Sequence, residues 1–187
     1  MNGYGKVRRP DPCVMELVSR LAREPWTDRP ACVHPVLSAV ARAAHDHSSS
    51  AGRRQLLPLA PRFLGTSRTG LEPAARLVAV CVSTALTAGE LLPDERRRLS
   101  AAHQTALHLL GSADSPGGAA RWWLPAFERL RWSEPFYRTF VAAEQAAEAV
   151  AVTARAANSD RDVRLRQLVK QCLGAHGALR PGAPTPS

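Results

Sequence analysis

The chain is nearly without lysine: of its 25 basic residues only Lys6 and Lys170 are not arginine. Aromatic residues make up just 5% of its 187 positions. The β-branched and aromatic residues that favour strands are few, while alanine, the best helix former, is abundant. That balance argues against a sheet protein. No stretch approaches the roughly 18 consecutive apolar residues that a membrane-spanning helix needs. The four cysteines, Cys13, Cys32, Cys81 and Cys172, are far apart and form no Cys-x-x-Cys pair, so neither a zinc knuckle nor a thioredoxin-like motif is present. No glycine-rich phosphate loop, dinucleotide fingerprint or nucleophile elbow occurs. No motif implies a cofactor, and the question of catalysis stays open.

What is there is charge. The formal net charge is +9. One reading is an electrostatic footprint for nucleic acid, anionic lipid or an acidic partner. The other is solvated helix faces decorated with arginine. The start, Met1–Pro12, is polar and basic and carries no apolar signal region, so a cytoplasmic protein with reduced thiols is expected.

The hydrophobic pattern predicts an all-α fold, a single helical bundle or orthogonal array of about seven helices. Residues 1–11 read as a flexible basic arm, 12–178 as one helical domain and 179–187 as a disordered tail. Asp11 and Pro12 suggest a first helix over 12–24. Pro35 opens a second helix that ends near His45–His47. Ser48–Ser50 caps a third stretch, 51–64, which Pro58 and Pro61 should break or kink, with Gly65 just beyond it. A fourth helix, Pro73 to Thr87, is apolar on most sides and is expected at the centre. A fifth runs from Pro93 to Gly111 with Leu99, Ala102, His103, Ala106, Leu107 and Leu110 on one stripe. The segment 119–132 holds a short helical stretch. A sixth helix, 134–157, has a predicted seam of Phe136, Phe140, Ala143, Ala147, Val150 and Ala154. Asp160 caps the last helix, with Leu165, Leu168, Val169 and Cys172 facing inward.

Candidate sites are few. Cys32-x-His34 and His45-x-His47 have metal-ligand chemistry, but the helix between them separates the pairs by roughly 16 Å at 1.5 Å per residue. His34 better suits the entrance of the second helix. His103, on an apolar stripe, is a candidate general base or a satisfied core histidine. Glu144 and Glu148, four apart, sit on the same flank as Tyr137. With His103 these residues could line a pocket between the fifth and sixth helices, or they could form a solvated face. The Arg53-Arg54 and Arg96–Arg98 runs, and the Arg161/Arg164/Arg166/Lys170 face, could contact phosphates. No helix-turn-helix is evident.

The sharpest feature is aromatic crowding. Seven of the ten aromatic residues fall within nineteen positions, Trp122, Trp123, Phe127, Trp132, Phe136, Tyr137 and Phe140, with Arg121, Arg129, Arg131 and Arg138 interleaved. Such a segment can wall a pocket, stack a planar ligand or anchor a partner. It can also be a local core. Adjacent Trp122 and Trp123 lie about 100° apart on a helix and cannot both point inward. The favoured reading is a non-enzymatic binding or regulatory module. Its contact residues would be Trp122, Trp123, Phe127, Trp132, Tyr137, Arg121 and Arg131. An acidic protein partner or a small aromatic ligand is expected, with nucleic acid or self-association as alternatives and no membrane insertion.

Trp26-x-Asp28-x-Pro30-x-Cys32-x-His34-Pro35-x-Leu37, the stretch GRRQLLPLAPRFLGT (52–66) and RWSEPFYRTFVAAEQAAEAV (131–150) together resemble uncharacterised helical proteins of actinobacteria. The resemblance implies a small all-α cytoplasmic protein and carries no activity or site residues.

Overall fold

A computed structural model describes residues 12–113, 134–157 and 160–177. These residues form seven helices and no strand, an all-α array. The helices are α1 (Val14–Leu21), α2 (Pro35–Asp46), α3 (Ser50–Leu56), α4 (Leu71–Leu86), α5 (Pro93–Ala113), α6 (134–156) and α7 (Arg161–Gly177). Among the described residues no helix is long and apolar enough to cross a membrane.

Local chemistry sets the boundaries. The first helix begins two residues later than Pro12 suggested. Its N-cap is Cys13, whose N–H donates to the Glu16 carboxylate at 2.9 Å. This side chain satisfies a donor that the helix start would otherwise leave orphaned. Pro35 stands at the first position of α2 as expected, and Ser49 caps α3 through the Gly52 N–H. Pro58 and Pro61 do not merely kink the third stretch. After Leu56 it tightens into a 3₁₀ segment, Leu57–Phe63, because proline lacks the N–H that α-helical bonding requires. Gly65, at φ +67°, then turns the chain out.

Helix α4 is central. It packs against α2, α5, α6 and α7, and Leu77, Val78, Cys81, Val82 and Ala85 are fully buried. Helix α7 buries the four residues expected of it, together with Leu173 and His176. In α5 the buried stripe is Leu99, Ala102, Ala106 and Leu109. His103 is only half-buried and Leu107 is 51% exposed, so the helix is rotated from the stripe predicted for it.

The sixth helix shows the largest departure. It is α-helical over Glu134–Phe136, forms a π turn over Tyr137–Val141 and resumes as α over Ala142–Ala156. A π turn accommodates an extra residue and shifts the phase of whatever precedes it. The buried residues of α6 are Ala142, Ala146, Ala149, Val150, Val152, Thr153 and Ala154, so the expected seam holds at Val150 and Ala154 but not at Ala143 and Ala147, which are half-buried. Phe136 and Phe140, expected in that seam, are each 56% exposed.

Candidate functional site

Four elements meet at one groove: the loop 25–34, the helix α2 that directly follows it as far as Arg42, the loop 64–70 and the part of α6 from Arg138 to Ala147. Each is tied in place by side chains. Glu24 accepts from the N–H groups of Ala31 (2.6 Å) and Cys32 (2.9 Å) and so fixes the first loop. The Ser38 hydroxyl donates to the Asp28 carbonyl, and Arg42 pairs with the Asp28 carboxylate at 3.0 Å. The second loop is laced to the first, since the Ser67 N–H donates to the Cys32 carbonyl at 3.0 Å. From α6, Arg138 donates to the Arg68 carbonyl at 3.2 Å. The π turn supplies Arg138 and Phe140 to this junction.

The groove has a cavity volume of about 610 Å³, within the range of small-ligand sites. Arg29, Arg42, Arg68 and Arg138 line it, one from each segment. Its apolar wall includes Val33, Ala39, Phe140, Ala143 and Ala147, and Glu144 contributes a carboxylate.

Two imidazoles are buried close by. His34 is fully buried at the head of α2, and its Nδ1 accepts from the Val36 N–H at 3.2 Å. The backbone N–H of His34 donates to the Thr66 hydroxyl at 3.3 Å. His176, near the end of α7, is also buried, and the two rings lie 5.5 Å apart between centroids. Burial, then the neighbouring His176 and Arg138, push the His34 imidazole down to about 3. Burial and Arg68 push His176 in the same direction. Both rings are therefore neutral at ordinary pH. His34 thus serves as the helix cap that its position before Pro35 suggested. Among the described residues no three histidine, cysteine or acidic side chains converge as metal ligands.

The other sequence candidates are dispersed. Glu144 lines the arginine groove, whereas Glu148 is held by Arg98 at 2.8 Å, across the α5–α6 seam. A shallow depression does lie between α5 and α6, but of His103, Tyr137, Glu144 and Glu148 only Glu148 lines it. Tyr137, a candidate contact residue, is partly buried and packs against the core, and burial raises its phenol above the usual value. The Arg96–Arg98 run is partly neutralised within the fold: Arg97 pairs with Asp94 and Arg98 with Glu148. Trp122, Trp123, Phe127, Trp132, Arg121, Arg129 and Arg131 lie outside the described residues.

Arg29, Arg42 and Arg68 drew no notice in the sequence. Each is a single arginine in an ordinary context, and only the fold brings them together. Comparison with known proteins adds no relative: no family model, curated protein or solved structure matches the chain.

Proposed function

We propose that the chain is a non-enzymatic binding module working in the cytoplasm, with its contact surface at the start of α6. The observation that carries this reading is the exposure of Phe136 and Phe140. Their rings lie 5.1 Å apart, each more than half exposed, beside Arg138 and the arginine-lined groove. Large apolar side chains left together on a surface mark contact sites more often than chance placement does. Aromatic and arginine side chains are also the types enriched where partners bind. The excess of arginine favours an anionic partner.

The test uses a fluorescent peptide in which glutamates alternate with leucines. Anisotropy should show binding to the full chain. The Phe136→Ser/Phe140→Ser double variant should weaken it by about tenfold or more, with an unchanged far-UV circular dichroism spectrum. Trp122→Ala and Trp123→Ala extend the test to the preceding aromatic residues. Equal affinity for the wild type and all these variants would sink the reading. A mixed-sequence DNA duplex serves as comparison. Tight binding of DNA that disappears with Arg166→Gln and Lys170→Gln would move the contact surface to α7 instead.

A further inference from the structure

We infer that the arginine groove takes a small organic oxyanion, with a carboxylate or phosphate head held by Arg29, Arg68 and Arg138 and a flat apolar body laid against Phe140, Ala143 and Ala147. This rests on the reading that the face at the start of α6 is a contact surface, and it names what that face binds.

Charge comes first. Four guanidiniums line the groove and Glu144 is the lining's one carboxylate among the described residues. Asp28, paired with Arg42, adds a second negative charge at the edge. Among the described residues the lining thus carries more guanidiniums than carboxylates. Arginine presents a planar fork of donors that matches carboxylate and phosphate oxygens, so a cluster of guanidiniums selects for such heads over a simple halide. Lining hydroxyls on Ser67, Thr69 and Thr139 add neutral donors around the same cavity.

Placement comes second. The four arginines come from the loop 25–34, the helix α2 that directly follows it, the distant loop 64–70 and the still more distant α6, and hydrogen bonds fix these elements to one another. Arg138 grips the backbone of the loop that carries Arg68, so these two guanidiniums belong to one connected unit. The first turn of α2 opens here through Pro35 and Ser38, and the positive end of its dipole adds to the field. The field is felt behind the wall as well: after burial, Arg138 and Arg68 contribute to keeping the imidazoles of His34 and His176 neutral.

Shape comes third. The cavity is concave and its wall is largely small apolar side chains with one aromatic ring, which suits a compact planar body. An extended acidic peptide would use the charge but leave this concavity unfilled.

Isothermal titration of the full chain with naphthyl phosphate, naphthoate and the uncharged naphthalenemethanol tests the inference. Both charged probes should bind with one-to-one stoichiometry, and the alcohol should bind at least about tenfold more weakly. The stronger of the two anions identifies the head. Arg68→Gln and Arg29→Gln should each weaken the charged probes several-fold, and Glu144→Gln should tighten them. Arg161→Gln, in α7 and outside the groove lining, should change nothing. These opposite signs distinguish a charge effect from loss of structure. The inference is overturned if the alcohol binds as well as the anions, if no probe binds, or if the groove variants leave affinity unchanged. Should the glutamate–leucine peptide bind in a phenylalanine-dependent way while no small anion does, the contact surface stands and the small-ligand inference alone falls. If neither binds, both fall.

Discussion

His34 combines two roles that a single proton would set against each other. Its Nδ1 lone pair caps α2 by accepting from the Val36 N–H. Protonation of the neutral ring would occur at that same nitrogen, so it would remove the cap as well as bury a charge. With the imidazole at about 3 in the folded chain and 6.5 when unperturbed, the unfolded state binds more protons between those values. Stability from this group is therefore complete above about pH 6.5 and falls progressively as the pH drops toward 3. His176 is shifted in the same direction and adds to the slope. Asp162 acts lower. The Ser49 hydroxyl is the main cause of its carboxyl lying below the ordinary 3.8, so its contribution is lost only as the pH falls through that region. Urea unfolding at pH values from 4 to 8 should show a loss on the order of a few kcal/mol on acidification. His34→Asn, which keeps a cap acceptor but cannot titrate, should be less stable at pH 8 and should flatten this loss. A slope unchanged by the substitution would disprove the assignment.

At the scale of elements, the junction of α3 and α7 depends on the absence of one carbon. Asp162, in the first turn of α7, accepts from the Ser49 N–H at 3.0 Å and from the Ser49 hydroxyl. A Cβ on Gly52 would stand 2.5 Å from the Asp162 carboxyl carbon. Gly52→Ala should therefore cost about 1–3 kcal/mol, the range for overpacking, despite alanine's better helix propensity. The Asp162→Ala background removes the obstructing carboxylate, so Gly52→Ala should cost much less there. A double-mutant cycle by chemical denaturation reads the difference, and simple additivity would refute the clash. Other elements show what a sequence can reveal. The caps at His34 and Ser49, the breaking prolines and the central apolar α4 were legible because each depends on neighbouring residues alone. The first half of the α6 seam was not. Phe136, Phe140, Ala143 and Ala147 continue a regular helical stripe that leads to the buried Val150 and Ala154, yet Phe140, Ala143 and Ala147 line the groove, and a π turn falls within the stripe at Tyr137–Val141. That turn is decided by tertiary fit, with Tyr137 taking the inward place. The groove was illegible for a related reason, because convergence of Arg29, Arg42, Arg68 and Arg138 is a property of loop closure.

Over the whole molecule, helices are not equally secured. Helix α4 meets four others and buries branched side chains on most of its circumference. Helix α5 leans chiefly on α4 and only slightly on α6. Two of the four residues in its buried stripe are alanines, Ala102 and Ala106, so it sequesters little apolar area for its length. Its N-terminal half is held instead by charge. Glu95, only 8% exposed, accepts from the Leu92 N–H at 3.2 Å and from Arg155 at 2.5 Å, while Arg98 reaches Glu148. Native-state hydrogen exchange should accordingly rank the amides, with α4 exchanging only through global unfolding and α5 opening at lower free energy. Glu95→Gln weakens both the cap and the ion pair. A charge-assisted bond is worth roughly 1.5–3 kcal/mol when buried and less where, as here, the arginine is half-exposed, so protection in the first turns of α5 should fall by about tenfold. The amides of α4 should fall only by as much as global stability does. Equal loss of protection in α4 and α5 would mean instead that α5 is part of one cooperative unit with the core.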